Sequence, residues 1–305
     1  MTVWLTGAHG MLGRAVATQL DQLGVSRVGS DLEIDMSSEA AVRDFALERR
    51  PRVILNCAAH TAVDVAEKDE STALKVNGRG PGPLARLATE LDSTLAHVST
   101  DYVFDGTLPK GQAYTEASET CPCNAYGRTK LSGELQIAKA FSQLGTDVAC
   151  SWVVLRTSWL FGSGRSSFVD TMWRSMLEKD ELRVVDDQIG RPTYVEDLAS
   201  VMMRVCGISG QTCLPSGVWH FANAGPISWH GFATAIRDQM LAIGLPVTVK
   251  DIHRIPSEEY PRPAKRPKNS VLSTARIKGE GRVVPRHWQA ALIAYIQKRR
   301  QRDEK

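Results

Sequence analysis

The chain begins Thr2-Val-Trp-Leu-Thr-Gly7-Ala-His-Gly10-Met-Leu-Gly13-Arg14, and this stretch decides the fold. Val3–Thr6 reads as a short buried strand. Met11–Leu23 reads as an amphipathic helix, with Leu12, Val16, Leu20 and Leu23 on one side and Gly24 as its stop. Three glycines spaced three apart fill the turn between them. Gly7 permits a tight turn, Gly10 lets backbone amides approach a pyrophosphate, and Gly13 allows helix and strand to pack closely. The helix N-terminus then favours an anion electrostatically. A strand, a glycine turn and a helix in this order predict a dinucleotide-binding turn.

The pattern continues outward. Ser26–Ser30, Val53–Cys57, Thr94–Ser99 and Val153–Thr157 read as strands, and Glu39–Glu48 and Tyr126–Phe141 as helices. Ser71–Leu91 reads as one long helix, oddly interrupted by Gly78, Gly80, Pro81, Gly82 and Pro83. Such alternation predicts an α/β fold with a parallel sheet covered on both faces, whose ligands bind beyond the carboxyl ends of the strands. Gly7, Ala58, Thr100 and Thr157 fall at those ends, hence on one rim. After about Leu160 the alternation weakens. Ser166–Glu178 and Trp229–Ile243 look helical, Leu182–Val185 and Val247–Ile252 look like strands, and Pro256–Pro267 holds four prolines in a non-regular segment. Residues 1–160 are expected to bind the dinucleotide. Residues 161–305 are expected to form a smaller α+β substrate-binding portion, interleaved with late elements that return to the first.

With 305 residues, 43% hydrophobic and 23% charged, the chain has the composition of an ordinary globule. A net charge of +3 is too mild to argue for nucleic acid. The densest basic run, Lys298-Arg299-Arg300-Gln301-Arg302 beside Asp303 and Glu304, reads as a solvated helix end. Cys57, Cys121, Cys123, Cys150, Cys206 and Cys213 lack metal-site spacing. Cys57 and Cys150 lie in apolar runs, so free thiols in a reducing compartment are expected. There is no basic leader and no apolar run near the ~20 residues that span a bilayer, so a cytoplasmic protein without membrane contact is expected.

Tyr126 and Lys130 stand four apart in Asn124-Ala-Tyr-Gly-Arg-Thr-Lys130, on one face of a predicted helix with about 5–6 Å between β-carbons. A phenol and an ammonium so placed make an acid/base device. The lysine charge is expected to draw the tyrosine pKa down from about 10 towards the working pH. Ser99 and Thr100 bring hydroxyls to the same rim, where one can bond the oxygen of a carbonyl under reduction. Lys130 would also hold the nicotinamide ribose, and Tyr126 would protonate the nascent alkoxide.

Asp31 ends the second strand, 18 residues after Gly13, where a carboxylate can accept from both adenosine ribose hydroxyls and favour NAD(H). Arg14 either meets a 2′-phosphate or is a solvated helix residue, so NADPH and NADH both stay open. Asp35 and Met36 are expected over the adenine edge. His60 reads as a structural or rim hydrogen-bonder, and Trp152, Trp173, Trp219, Trp229 and Trp288 as packing residues.

These residues together resemble the extended short-chain dehydrogenase/reductases and, more narrowly, the dTDP-4-dehydrorhamnose reductases. The resemblance runs nearly end to end. It rests on Gly7–Gly13, Asn56-Cys-Ala-Ala-His-Thr-Ala-Val-Asp64, Ser99-Thr-Asp-Tyr-Val-Phe-Asp-Gly106 and Tyr126–Lys130, and continues through Leu155–Gly162, Asp187–Thr193 and Arg266–Ser270. It implies a Rossmann-type doubly wound sheet and NAD(P)H-dependent reduction of the C4 ketone of dTDP-4-dehydro-L-rhamnose, with Thr100, Tyr126 and Lys130 as the catalytic trio. It also implies cofactor contacts from Gly10, Met11, Leu12, Asp31, Asp35, Met36, Ala58, Ala59 and Thr61, and places Asp101 and Trp159 near the sugar.

Nucleotide-sugar 4,6-dehydratases of this fold carry Asp-Glu after the catalytic Thr. Here Tyr102 takes the glutamate's place, which favours a reductase. Some relatives form a magnesium-bridged dimer. Glu196 matches one ligand, but Ala15 and Gln289 stand where the others fall, so no metal is assigned and a monomer or homodimer is expected. Arg191 either reaches the nucleotide diphosphate or is a surface cation, and Lys265, Arg266 and Lys268 either suit a diphosphate or form a solvated turn. Two other readings stay open. One is a 4-ketoreductase for another nucleotide deoxysugar. The other is a non-catalytic dinucleotide-binding regulatory subunit like the β-subunit of methionine adenosyltransferase, against which the intact trio argues.

Overall fold

The computed structural model describes residues 1–142, 151–164, 166–208, 210 and 213–303, so the readings on Cys150 and Glu304 fall outside the described residues. β1 (Thr2–Thr6) leads through the glycine turn into α1 (Met11–Gln22), followed by β2 (Ser26–Ser30), α2 (Glu39–Leu47) and β3 (Val53–Asn56). Next come α3 (Val63–Lys68), α4 (Glu70–Ala73), a π-helical turn (Leu74–Arg79) and α5 (Pro81–Glu90). β4 (Thr94–Thr100), α6 (Ala125–Ser142) and β5 (Trp152–Thr157) complete the first half. The second half holds β6 (Leu160–Phe161), α7 (Phe168–Glu178), β7 (Glu181–Val185), β8 (Ile189–Gly190), β9 (Thr193–Tyr194) and α8 (Val195–Val205). It ends with β10 (Gly217–His220), β11 (Ile227–Ser228), α9 (Trp229–Ala242), β12 (Asp251–Ile255), α10 (Ala275–Gly279) and α11 (Trp288–Asp303).

Six strands form one parallel sheet in the order β2-β1-β3-β4-β5-β10. The chain moves to one side of β1 for β2 and to the other for β3. That reversal opens a crevice at the carboxyl ends of β1 and β3, where a doubly wound sheet takes its ligand. Side chains alternate across the sheet as a strand period of two requires. Val3, Leu5, Val53, Leu55, Ala96, Val153 and Leu155 enter one core with α1, α8 and the C-terminal helices. Trp4, Ile54, Leu95 and Val154 enter a second core under α2, α5 and α6. Both faces are covered, as the near-continuous apolar strands foretell.

Late elements return to this sheet. β10 pairs with β5, and α8 lies on α1, where Gln19 Nε2 donates to the Glu196 carbonyl at 2.9 Å. The rest of the second half builds three two-stranded ladders: β7 with β12, β6 with β9, and β8 with β11.

Three expectations need correction. The helix expected over Ser71–Leu91 is broken into α4, the π-helical turn and α5. Gly78 serves contact with α6, because a Cβ there would sit 2.6 Å from the Leu74 side chain and 3.1 Å from Ser132. The strand expected over Val247–Ile252 begins instead at Asp251. Thr248 and Val249 donate their amides to the Met176 carbonyl at the end of α7, so pairing with β7 starts only at Asp251 opposite Glu181. The basic run of α11 is not wholly solvated: Arg299 is paired with Asp170 and lies 4.6 Å over the Trp173 ring, which fastens α11 to α7. No helix among the described residues is long and apolar enough to cross a membrane.

Candidate active site

The glycine turn is built by close approach. Gly7 has φ +63°, and a Cβ there would lie 2.7 Å from the Ala58 backbone. A Cβ on Gly13 would lie 2.1 Å from the Gly7 carbonyl oxygen, so α1 can seat on the turn only without one. Gly10 stands at the N-cap of α1 without a side-chain cap, which leaves the leading amides of Met11 and Leu12 facing an open end suited to an anion. Asp31 Oδ2 accepts the His9 amide at 2.9 Å, so this carboxylate also fixes the loop. Arg14 Nε donates to the His9 carbonyl at 3.0 Å. Beside them lies a cavity of about 500 Å³ lined by His9, Arg14, Arg27, Ser30 and Glu33.

Asp35 pairs with Lys75 at 2.8 Å; that ammonium and the Ser37 hydroxyl hold its carboxyl down to about 2. Met36 is buried against the backbone near Gly80. Ala58, Ala59 and Thr61 lie in the loop after β3. The loop is pinned by Asn77 of the π-helical turn, which accepts the His60 amide at 2.8 Å and donates to the His60 carbonyl at 3.0 Å.

Thr100 ends β4 and caps the following 3-10 turn, accepting the Tyr102 amide at 3.2 Å and donating to Asp101 Oδ1 at 3.1 Å. Ser99, one residue earlier, points to the other face and gives its hydroxyl to Glu134 of α6 at 2.5 Å. Only Thr100 is then left for the rim. Tyr126 stands edge-on to Tyr102, with centroids 5.9 Å apart. Close approach of α6 here rests on Gly127, where a Cβ would lie 2.1 Å from the Tyr102 carbonyl oxygen.

The expected lysine effect on Tyr126 is not what the structure shows. Burial and the neighbouring Asp101 carboxyl push the phenol up to about 12, against the Thr100 hydroxyl, which favours the phenolate. Lys130 is buried, and its ammonium is turned into the sheet, donating to the Val98 carbonyl at 2.7 Å and lying 3.1 Å from His97 Nε2. Burial brings the Lys130 amine down to about 8. Asp101 is buried with Oδ2 lacking a hydrogen-bond partner, and desolvation pushes its carboxyl up to about 7.

On the far side of the rim, Trp159 adopts φ +49° and stacks on Trp229 with centroids 3.4 Å apart and planes at 6°. Gly190 makes room for it, since a Cβ there would fall 2.4 Å from the Trp159 ring. Trp229, read from sequence as packing, is thus the partner that orients Trp159. Arg191 is partly buried, donates to Thr274 Oγ1 at 3.2 Å and has its buried Nε without a partner. It pairs with no carboxylate among the described residues. The basic segment after it behaves differently: Arg266 meets Asp64 at 2.5 Å, and Lys268 meets Glu258 at 3.4 Å and Asp187 at 3.6 Å. Arg266 and Lys268 are thus held by carboxylates of this chain. Glu196 pairs with Lys298 at 2.6 Å.

A family model described as "RmlD substrate binding domain" matches residues 1–301. A dTDP-4-dehydrorhamnose reductase of Burkholderia thailandensis is 38% identical over 299 residues, covering 96% of this chain and 97% of that one. The chain belongs to the dTDP-4-dehydrorhamnose reductase family. Among solved structures, a dTDP-4-dehydrorhamnose reductase of Clostridium acetobutylicum has TM-score 0.88 and 36% identity, covering 98% of this chain and 100% of that one. One from Bacillus anthracis, in complex with NADP, has TM-score 0.86 and 31% identity over 97% of this chain and 99% of that one.

Within this family framework, sequence reasoning passed over Asn56, Asn77, His97, Glu134 and Arg156. Asn77 also donates to Thr129 Oγ1 at 3.2 Å, joining the loop after β3 to α6. Glu134 and Arg156, both buried, pair at 2.6 Å and tie α6 to β5. The visible signal was position: Asn56 and His97 fall late in strands that end on the rim, and Glu134 lies one helical turn beyond Lys130.

Proposed function

We propose that the protein is an NAD(P)H-dependent oxidoreductase that reduces the C4 ketone of dTDP-4-dehydro-L-rhamnose to dTDP-L-rhamnose. The observation that carries this reading is the gathering of Thr100, Asp101 and Tyr126 where β4 meets α6, in a chain matched by reductases over nearly its whole length. The residues present fit a dinucleotide: Gly7 and Gly13 sit where a Cβ would collide, and α1 has an uncapped N-terminus. In this reading Gly7, Gly10, Met11, Leu12 and Gly13 receive the pyrophosphate. Asp31, Asp35 and Met36 border the adenosine, and Ala58, Ala59 and Thr61 border the nicotinamide half. When bound, the nicotinamide supplies the hydride.

Tyr126 donates its phenolic proton to the oxygen that was the C4 carbonyl, and Thr100 gives that oxygen a hydroxyl to lean on. A phenol raised by burial stays protonated at neutral pH, so the donor is loaded before substrate arrives. Lys130 holds the nicotinamide ribose and supports the phenolate left behind. Asp101, Trp159 and Arg191 meet the nucleotide sugar, and the unpartnered Arg191 Nε suits one oxygen of the diphosphate. Residues 1–160 take the dinucleotide and residues 161–305 most of the nucleotide sugar. The free thiols of Cys57, Cys121, Cys123, Cys206 and Cys213 suit the reducing cytoplasm.

The deciding assay is NADPH and NADH oxidation with enzymatically generated dTDP-4-dehydro-L-rhamnose, the product identified by NMR. Ketosugar-dependent oxidation yielding dTDP-L-rhamnose is expected. A C4 epimer as product would reassign the chain to another deoxysugar, and no oxidation would end the enzymatic reading.

A further inference from the structure

Three adjacent strands share one polar row beneath the proposed site. The sheet register sets Thr6 of β1 opposite Asn56 of β3, and Asn56 opposite His97 of β4. All three are buried and stand on the α6 side of the sheet, two residues beyond Trp4, Ile54 and Leu95. Thr6 Oγ1 donates to Asn56 Oδ1 at 2.7 Å, Asn56 Nδ2 lies 2.9 Å from His97 Nδ1, and His97 Nε2 lies 3.1 Å from Lys130 Nζ.

One bond in this row has no freedom. The Ala58 backbone amide donates to Asn56 Oδ1 at 3.2 Å, and a backbone N–H can only donate. Asn56 must therefore keep its carbonyl oxygen towards Ala58 and its NH₂ towards His97. His97 Nδ1 then has to accept. A neutral imidazole that accepts at Nδ1 bears its proton on Nε2. That proton points at Lys130. An ammonium there sets donor against donor, whereas a neutral amine accepts from His97 and still donates to the Val98 carbonyl.

We propose that His97, locked as the Nε2–H tautomer by Asn56, is a positioning residue that disfavours the Lys130 ammonium. The inference rests on the reading of Lys130 as part of the reductase site. An ammonium that loses its proton there becomes an amine that accepts from His97 while still donating to the Val98 carbonyl.

Other groups around Lys130 do not supply this bias. Glu134, one turn on in α6, favours the ammonium but is paired with Arg156 of β5. Cys57 at the end of β3 is a neutral thiol, pushed up to about 12 by burial. Tyr126 on α6 is likewise a neutral phenol, and Asp101, beyond β4, faces Tyr126. Burial pushes His97 itself well below its ordinary range, so it stays neutral and cannot give way by taking a second proton.

The test needs no turnover. In full-length protein bearing ¹⁵N-histidine, the His97 ring is assigned by its loss in His97→Gln, and the tautomer is read from long-range ¹H–¹⁵N couplings. A proton on Nε2 at neutral pH is expected; a proton on Nδ1 in the wild type overturns the proposal. Asn56→Asp keeps the acceptor for Ala58 and Thr6 but turns the other arm into an acceptor, so the proton should move to Nδ1 and free Nε2 to accept from the ammonium. Lys130, followed by the ¹³C shift of its ε-carbon, should then titrate about one unit or more higher, a tenfold or greater gain in proton affinity. The alkaline limb of kcat/KM should move with it. A tautomer that switches while the Lys130 titration stays put would also refute the proposal. Because both spectra are read without substrate, their outcome is separate from whether the ketosugar assay succeeds.

Discussion

Lys130→Met keeps the side-chain length and removes the charge, which makes it a direct measure of how hard the fold works to bury that amine. The ordinary lysine value is 10.5, and burial brings Lys130 to about 8. At about 1.36 kcal/mol per unit, the folded state disfavours the ammonium by about 3 kcal/mol relative to the unfolded chain. The sign follows from proton counting. Between pH 8 and 10.5 the unfolded chain holds the proton that the folded chain has released, so this residue's contribution to stability rises with pH through that window. It is complete above 10.5 and lost as pH falls through 8. At pH 7 the variant escapes the burial penalty but leaves the Val98 carbonyl and His97 without a partner, a loss of about 1–3 kcal/mol for each such group. The absolute difference at one pH therefore decides nothing, and the slope decides. Urea unfolding of both proteins from pH 7 to 10.5, with equal m-values as the check on comparability, should show wild-type stability gaining about 3 kcal/mol over the variant. A difference that stays flat within about 1 kcal/mol across the range would mean the amine is solvated, and the reading of Lys130 would fail.

Tyr126→Phe keeps the ring and removes the proton donor, so kcat should fall on the order of 10²–10⁴-fold while NADPH binding, followed by fluorescence, stays within a factor of a few; an unchanged kcat refutes the assignment. Asp31→Ala should raise the Kd for NADH more than that for NADPH, and equal losses would remove Asp31 from the ribose. Gly133→Ala places a Cβ 2.2 Å from the Asn77 carbonyl oxygen. Overpacking there should cost about 1–3 kcal/mol in urea unfolding and lower activity with it, whereas full stability would mean that α6 and the π-helical turn can part freely.

Much of the architecture was legible because it rests on local patterning. Val3–Thr6, the glycines at 7, 10 and 13, and the helix from Met11 are one continuous signal, and the structure ends β1, β3, β4 and β5 on the rim that the strand readings place there. Reading weakened where local preference and tertiary contact disagree. Val247–Val249 has the composition of a strand, but Met176 takes the amides. The glycines of 78–82 looked like breaks in a helix, when Gly78 and Gly82 face α6 and Gly80 faces Met36. Tyr126 and Lys130 were visible as a pair. The direction in which Lys130 points was not, since spacing on a helix says nothing about a histidine 33 residues earlier on a strand.

The same limit explains why the string Asn56–Asp64 looked narrow to the family without showing its purpose. Its residues act on three different parts of the chain. Asn56 sets the tautomer of His97, and the His60 backbone is held by Asn77. Asp64 gathers Arg262 at 2.6 Å, Arg266 at 2.5 Å and the Ala264 amide at 3.2 Å, so the proline-rich segment of the second half is drawn onto the first. From there the Lys265 carbonyl accepts Asn124 Nδ2 at 2.8 Å, while Asn124 Oδ1 accepts the Gly127 amide at 2.8 Å and so caps α6. The helix start that presents Tyr126 is thus secured by the proline-rich segment of the second half. The start of α6 and the 262–266 segment are therefore coupled through Asp64, the Lys265 carbonyl and Asn124, partners far apart in the sequence. Loosening Asp64 should disturb the placement of Tyr126 before it disturbs the dinucleotide turn, because the turn at Gly7 leans on Ala58 and not on the 262–266 segment.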